Sequence, residues 1–238
     1  MARVLSPIPT ALRAQMQEMA DQAAELVPGG AYANYMIIDP TQPDPDGILP
    51  GAPIYVGQSV NIGKRVLTHM RQALTRSVRR GTLYERIVAI VRGGQLPIFR
   101  VLQVHQTRLD CVQGETVWAQ RLLREGAHLY NRWPEQSRVM PPKELARRQR
   151  RRLFDLSMVE ASEAGAVLQA QCRKDGWIAS IGAEHLLPRF GRQATFHAAR
   201  RTLRECPECG GRLSHAILIE AAVISPVSKG APGRNAGP

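Results

Sequence analysis

One segment of the chain combines residue types that could cleave a phosphodiester bond. The run Ile54-Tyr55-Val56-Gly57-Gln58-Ser59 predicts a short strand that ends in a glycine turn, and Asn61 follows in a polar loop. Arg65 and His69 come next and are four residues apart, so on a helix they share one face. With Tyr55 at the end of the strand, a phenol, a guanidinium and an imidazole are expected to meet at one point. That combination suits phosphodiester chemistry.

These residues resemble the signature of the GIY-YIG nuclease family. The second triplet of the family reads Tyr55-Val56-Gly57 here, and its Arg-x-x-x-His helix reads Arg65 to His69. Two later family positions match Glu115 and Asn131. The resemblance covers roughly residues 30 to 133. It implies an α/β (α+β) fold in which a small mixed or antiparallel three-stranded sheet is flanked by helices.

The first triplet of the family has two candidates, Gly30-Ala31-Tyr32 and Ala33-Asn34-Tyr35. Side chains alternate between the faces of a strand, so only one of these tyrosines, three positions apart, can line the site. In the family an Asn or Asp usually follows this tyrosine by four residues, and Asp39 stands four residues after Tyr35. We therefore take Tyr35 and keep Tyr32 as the alternative.

The resemblance also implies a role for each residue. Glu115 would hold one divalent ion, Mg²⁺ or Mn²⁺, and Tyr35 would take the proton from the attacking water. Arg65 would clamp the phosphate, and His69 would orient or relay the proton. The remaining site residues would line the site or contact nucleic acid: Tyr55, Asn131, Gln58, Ser59 and Lys64.

Three of these residues also allow interpretations without chemistry. Glu115 lies near the start of a predicted helix over 114–126, where a carboxylate favours the helix dipole. Asn131 could be a helix C-cap residue. His69 taken alone could be a core or surface histidine.

Composition favours a polyanionic partner. The formal net charge is +12 and the pI is near 10.4, which suits a polyanionic partner; we expect nucleic acid, and DNA above all. No run approaches the ~18 apolar residues of a membrane span, so no membrane partner is expected. The start of the chain lacks the apolar core of a signal peptide, which predicts a cytoplasmic protein. The oligomeric state is not encoded in any visible pattern.

Hydrophobic periodicity and the positions of proline and glycine divide the chain into five segments. They are an N-terminal helix in 1–29, the nuclease-like domain in 30–133, a basic linker or helix in 134–156, a zinc-ribbon-like domain in 157–225, and a disordered tail in 226–238. The predicted elements are helices at 8–27, 61–79, 82–92 and 114–126, and strands at 31–38, 53–57 and 98–104.

The linker contains a dense run of cations that could neutralise phosphates and bind nucleic acid without reading its sequence. Its arginines are Arg147, Arg148, Arg150, Arg151 and Arg152. A solvated charged face is the alternative interpretation of this run.

The C-terminal cysteines predict a metal site. Cys206-Pro-Glu-Cys209-Gly210-Gly211 has the form of a zinc knuckle, in which two thiolates grip the metal and glycines allow a sharp turn. Cys172 and Asp175 repeat the spacing with a carboxylate in place of the second thiol. They would complete a Zn²⁺ site for a domain that binds nucleic acid. Three histidines could replace Asp175 as the fourth ligand, namely His185, His197 and His215, and a knuckle without metal is a further alternative.

Together these patterns predict a metal-dependent endonuclease. Two other classes remain open at this stage. One is a nucleic-acid-binding protein that keeps the fold without activity, and the other is a structural protein whose basic surface meets an acidic partner. The choice of substrate, DNA or RNA, single- or double-stranded, is not encoded in these motifs.

Overall fold

A computed structural model of the chain describes residues 8–75 and 77–219, and the side chains of 150–152 are not described. The chain divides into two compact units, Met1–Gln149 and Arg150–Pro238. The division falls inside the segment predicted as a basic linker. The predicted disordered tail, 226–238, lies outside the described residues.

The first unit is a three-stranded antiparallel sheet with helices, in the strand order β2-β1-β3. This confirms the predicted mixture of helices and a small antiparallel sheet. Its strands are β1 (Tyr32–Asp39), β2 (Ala52–Ser59) and β3 (Ile98–His105). Its helices are α1 (Thr10–Glu25), α2 (Ile62–Thr75), α3 (Leu83–Arg92), α4 (Arg108–Arg124) and α5 (Pro134–Ser137), and α6 (Pro142–Arg152) crosses the division between the units.

The central strand β1 is buried on both faces. Tyr35 and Ile37 pack in the cluster formed with α1, α2 and α3, whereas Met36 and Ile38 pack against residues of α4. Because both faces are covered, β1 reads as a nearly continuous apolar run rather than an alternating one. The strand therefore carries the Tyr35 side chain directly to the N-terminal half of α2.

Two predicted helices have different bounds in the structure. Helix α4 begins at Arg108, six residues before the predicted start, where the Thr107 hydroxyl accepts a hydrogen bond from the Asp110 N–H at 3.1 Å. Glu115 thus lies in the middle of the helix, and its interpretation as an N-terminal dipole residue is wrong. Helix α2 ends at Thr75 rather than at 79, and residues 77–79 are not helical.

The second unit contains another antiparallel sheet of three strands, in the order β5-β4-β6. Its strands are β4 (Ala166–Cys172), β5 (Ile178–Gly182) and β6 (Leu213–Ile219), and its helices are α7 (Met158–Glu163), α8 (Ala183–Phe190) and α9 (Phe196–Thr202). Among the residues described in both units, no helix is long and apolar enough to cross a membrane.

Candidate functional site

Three of the predicted site residues form one buried hydrogen-bonded network. Arg65 Nε donates to the Tyr35 hydroxyl at 3.0 Å, and the same hydroxyl lies 2.7 Å from His69 Nε2. Tyr35 is 0% exposed and His69 is 1% exposed. Because a guanidinium can only donate, the Tyr35 oxygen accepts from Arg65; the Tyr35 proton is donated to His69 Nε2 in the tautomer that carries its proton on Nδ1. Tyr32, the alternative tyrosine of the first triplet, lies at the first position of β1, opposite His105.

Burial fixes the protonation of this network. It lowers the pKa of His69 to about 3, and the positive charge of Arg65 adds to the effect. Burial also raises the pKa of Tyr35 well above its ordinary value, with a further increase from Tyr55, and Arg65 opposes this without outweighing it. At neutral pH both groups are therefore neutral: the phenol keeps its proton, and His69 carries no charge.

Tyr55 differs from Tyr35 in its exposure. It lies on β2, is only partly buried, and its ring centroid is 5.3 Å from that of His69. Burial raises its pKa, and the nearby charge of Glu115 adds to the rise while Arg65 opposes it. Burial of the Arg65 guanidinium would lower its pKa, but Tyr35 and Tyr55 both hydrogen-bond to it and the net pKa is raised. Arg65 thus stays cationic between two phenols.

Gly57 leaves the space that the Tyr35 hydroxyl occupies. It is paired with Tyr35 across the sheet, and a Cβ at this position would lie 2.5 Å from the hydroxyl oxygen and 2.7 Å from the Tyr55 ring. Any other residue at position 57 would displace one of the two phenols. The glycine of the Tyr-Val-Gly motif therefore has a packing role that the sequence did not reveal.

The loop before α2 orients the helix that carries Arg65 and His69. The Ser59 hydroxyl accepts from the Asn61 N–H at 3.0 Å, and the Asn61 side chain accepts from the Lys64 N–H at 2.9 Å. Asn61 thus caps the start of the helix. Lys64 itself is exposed, and Gln58 is half-buried next to Ser59.

Glu115 approaches the tyrosines from α4. It is 8% exposed, and its charge raises the pKa of both Tyr35 and Tyr55. In the described part of the chain, the only cluster of three or more potential metal ligands lies elsewhere. A single carboxylate oxygen donor fits Mg²⁺, which keeps several waters and takes its other ligands from substrate phosphate.

A polar layer behind Glu115 was not predicted. Asn34 is fully buried; its side chain donates to the Cys111 carbonyl at 2.7 Å, and its Oδ1 lies 2.7 Å from His105 Nε2. A Cβ at Gly114 would overlap Asn34 and contact His105 at 2.9 Å, so glycine lets α4 approach β1. A glycine inside a helix costs about 1 kcal/mol relative to alanine, and this was the one signal in the sequence.

Asn131 supports β2 and is not a helix C-cap, so that interpretation is wrong. Its side chain accepts from the Val56 N–H at 3.0 Å and donates to the Val56 carbonyl at 2.7 Å, and it also donates to Gln136 at 3.1 Å. The neighbouring Tyr130 N–H donates to the Ile54 carbonyl at 2.8 Å. Asn131 therefore pairs with the edge strand in the manner of another strand and fixes the backbone between Tyr55 and Gly57.

Asp39 anchors a helix and does not line the site. It is fully buried, pairs with Arg86 of α3, and accepts from the Thr41 N–H at 2.9 Å. The residue that favoured Tyr35 in the sequence thus holds α3 against the end of β1.

A cleft of about 700 Å³ opens at Tyr55 and Arg65. Three tyrosines, a histidine and three arginines contribute to its wall: Tyr55, Tyr84, Tyr130, His128, Arg65, Arg79 and Arg132. No Asp or Glu is among the described residues that line it. The cleft combines positive charge with aromatic rings, which suits a nucleic-acid strand.

The basic run of α6 is only partly available to a ligand. Arg148 pairs with Glu135 at 3.6 Å and with Glu144 at 3.5 Å, whereas Arg147 is exposed. The side chains of Arg150, Arg151 and Arg152 lie outside the described structure. Arg148 thus connects α6 to α5 within the first unit through its ion pair with Glu135.

The second unit brings together four groups that could hold a metal ion. The ligand atoms of Cys172, Asp175, Cys206 and Cys209 all lie within 4.8 Å of one another. Cys172 Sγ is 3.6 Å from Cys209 Sγ, and Cys206 Sγ is 3.2 Å from Asp175 Oδ2. Tetrahedral zinc with ~2.3 Å Zn–S bonds requires sulfur atoms about 3.8 Å apart, so the cluster has the right size. The cysteines are not disulfide-bonded.

The backbone of the knuckle encloses this cluster. The Gly210 N–H donates to the Cys206 carbonyl at 2.9 Å, and Gly210 has a φ of +66° that favours glycine. A Cβ at Gly211 would lie 3.1 Å from Cys209 Sγ, so a side chain there would press on the sulfur atoms. Through its hydrogen bonds to Cys209, Asp175 raises the pKa of that thiol to about 12.

The histidine alternatives for the fourth ligand are wrong in the described structure. The cluster contains Asp175 and no histidine. His185 lies beside Glu184 at 3.5 Å and His197 lies beside Asp155 at 3.2 Å. His215 is on β6, paired with Ala170 of β4.

Comparison with known proteins gives no family model, curated protein or solved structure that matches this chain.

Proposed function

We propose that the first unit is a metal-dependent endonuclease of the GIY-YIG type that hydrolyses phosphodiester bonds of nucleic acid, most directly DNA. The observation that carries the proposal is the network of Tyr35, Arg65 and His69 beside Tyr55, on the wall of a basic and aromatic cleft. A merely structural cluster would not need a half-buried guanidinium held between two phenols and facing a cleft.

Arg65 is the phosphate clamp in this proposal. Its guanidinium has five N–H donors, and hydrogen bonds to Tyr35 and Tyr55 leave donors for a phosphate oxygen. These two bonds also fix the plane of the guanidinium before the substrate arrives. A prearranged cation stabilises the charge that develops on the phosphate oxygens in the transition state.

The exposures separate the roles of the two tyrosines. Tyr35 was predicted to take the proton from the attacking water, but it is fully buried and its hydroxyl is shared between Arg65 and His69. Tyr55 borders the cleft and can meet water. We therefore assign proton acceptance from water to Tyr55, while Tyr35 and His69 position Arg65.

Glu115 is the residue that would hold a divalent cation, Mg²⁺ or Mn²⁺, and the bound ion would polarise the scissile phosphate. The negative charge of Glu115 raises the pKa of Tyr55. A cation bound to Glu115 would offset that charge and so favour the ionised form of Tyr55. This coupling would explain why a carboxylate is buried next to the two tyrosines.

In the second unit, the group of Cys172, Asp175, Cys206 and Cys209 would hold one structural Zn²⁺, for which three thiolates and one carboxylate are suitable ligands. The ion would fix the knuckle onto β4. We place a nucleic-acid-binding role in this unit, in the segment 157–225.

A cleavage assay tests the proposed activity. Purified full-length protein should nick or linearise supercoiled plasmid in the presence of Mg²⁺, and Arg65→Ala should remove the activity. Arg92→Ala, at the end of α3, is the matched control because Arg92 does not line the cleft. Binding of plasmid without any cleavage over a range of metals would instead identify a binding protein with an inactive nuclease fold.

A further inference from the structure

A second cleft, of about 500 Å³, lies in the second unit between α9 and β6. Its wall is dominated by cationic or titratable nitrogen-containing side chains: His197, Arg200, Arg201, Arg204, Arg212 and His215. Glu205 is the one acidic residue among the described residues that line it. None of these arginines belongs to the basic run that the sequence singled out.

The guanidinium groups of this cleft are not neutralised within the described structure. Arg200, Arg201, Arg204 and Arg212 have no ion pair with a carboxylate among the described residues. Arg200 is instead held over the Phe154 ring, with 5.6 Å between its guanidinium carbon and the ring centroid. Four cations around one cleft repel one another, and an anion between them would relieve that repulsion.

A buried nitrogen in the same cleft also lacks a partner. His215 Nε2 has no hydrogen-bond partner within the described structure although the atom is buried. Burial lowers the pKa of this histidine, a hydrogen bond from its other ring nitrogen to the Leu203 backbone opposes the decrease, and the charge of Arg200 adds to it. In the neutral ring this nitrogen carries no proton, so an oxyanion bound beside it would favour the protonated ring, whose Nε2–H can donate to the anion.

The knuckle sets the distance between two of the arginines. Arg204 and Arg212 flank the segment that holds Cys206 and Cys209. The Leu213 N–H donates to the Arg204 carbonyl at 2.9 Å, and the Cys206 N–H donates to the Gly211 carbonyl at 2.7 Å. Arg204 and Arg212 therefore lie on backbone that is tied together by hydrogen bonds across the base of the knuckle.

We propose that this cleft between α9 and β6 binds the phosphodiester backbone of nucleic acid. Arginine suits this ligand because its planar fork of N–H donors matches two phosphate oxygens. No phenylalanine, tyrosine or tryptophan is among the described lining residues, so the cleft contacts phosphates and does not stack bases. The inference rests on the proposed nucleic-acid substrate but is independent of cleavage.

The test measures the binding of full-length protein to a short fluorescent DNA duplex as a function of salt, without added divalent cations and without chelator. A variant with Arg200→Gln, Arg204→Gln and Arg212→Gln removes three cleft charges. Each lost phosphate contact lowers the slope of log K against log salt by about 0.9, so the slope should fall by about 2–3 and the affinity by about tenfold or more. The matched control combines Arg173→Gln, Arg189→Gln and Arg192→Gln, which are exposed in the same unit but do not line the cleft.

A charge-preserving variant guards against misfolding. With Arg200→Lys, Arg204→Lys and Arg212→Lys, the slope should remain close to that of the wild type. Equal loss of slope in the cleft and control variants would overturn the inference, as would an unchanged slope in the cleft variant. A plasmid assay on the same samples keeps the two proposals apart, because the cleft can fail while cleavage persists, and cleavage can be absent while the cleft still binds duplex.

Discussion

At the scale of single residues, the site depends on which group can give or take a proton. The i and i+4 spacing of Arg65 and His69 was sufficient to predict that they share a helix face, and both contact the Tyr35 hydroxyl. The spacing could not predict the burial of Tyr35, because burial depends on α1, α2 and α3 packing together over β1. It is this burial that moves the proposed base from Tyr35 to Tyr55.

The two tyrosines should therefore respond differently to loss of the hydroxyl. Tyr55→Phe should reduce the cleavage rate by about 10²–10⁴ and remove the limb of the pH–rate profile over which the rate rises as Tyr55 loses its proton, since a positioned general base contributes that much. Tyr35→Phe should lower the rate through misplacement of Arg65, with the shape of the profile retained. Rates measured across pH for both variants decide the assignment. A lost limb in Tyr35→Phe and a normal one in Tyr55→Phe would return the base to Tyr35.

His69 should make the stability of the first unit depend on pH. Its pKa is lowered to about 3 in the folded chain from an unfolded value of about 6.5, so the unfolded state binds more protons between these values. The free energy of unfolding should therefore be highest above pH 6.5 and should decrease as the pH falls, by up to about 1.4 kcal/mol for each pH unit. Urea unfolding of wild type and His69→Leu between pH 7 and pH 4 measures it. Stability curves that stay parallel for the two proteins would refute the shift.

At the scale of elements, periodicity predicted every strand of the first sheet, because apolar runs bounded by turns are local signals. The predicted start of helix α4 was too late because a glycine such as Gly114 usually marks a helix boundary. In the structure Gly114 lies inside the helix, where α4 approaches Asn34 closely. The three strands of the second unit were not predicted. Asn131 was likewise unpredictable, because its pairing with Val56 joins positions far apart in the chain.

The close fit of β2 against Tyr35 predicts the effect of a single methyl group. Gly57→Ala should destabilise the first unit by about 1–3 kcal/mol, the usual cost of overpacking, and should also remove cleavage by displacing a phenol. Gly29→Ala is the matched control because nothing lies within 4 Å of its Cβ position. Thermal unfolding and plasmid cleavage measure the two effects. A Gly57→Ala protein as stable and as active as Gly29→Ala would show that Tyr35 is placed differently.

At the scale of the whole molecule, the two units divide the work in our proposals. We assign the chemistry to the first, and the second contains a cluster of potential metal ligands and a basic cleft. The cysteine spacing predicted the cluster, including the unusual Asp175. The arginines of the second cleft are scattered from position 200 to 212, so only the folded chain places them around one space.

Zinc bound by the three cysteines and Asp175 should stabilise the second unit and leave the stability of the first unit unchanged. Purified protein should contain about one zinc per chain, and Cys206→Ser together with Cys209→Ser should remove it and lower the melting temperature of that unit. A chain that ends at residue 149 should retain Mg²⁺-dependent cleavage. Elemental analysis and thermal unfolding provide the measurements. Zinc-free protein whose melting temperature is the same with and without chelator would eliminate the structural zinc.

We propose above all that Glu115 supports metal-dependent cleavage next to Tyr55 and Arg65. The most direct measurement compares plasmid cleavage and duplex affinity for Glu115→Gln and Glu125→Gln at one Mg²⁺ concentration. Glu125 is the matched control since it pairs with Arg121 on the surface, away from the tyrosines. Glu115→Gln should bind duplex as the wild type does and cleave nothing detectable, while Glu125→Gln cleaves normally. Undiminished cleavage by Glu115→Gln would contradict the assignment of the metal to this site.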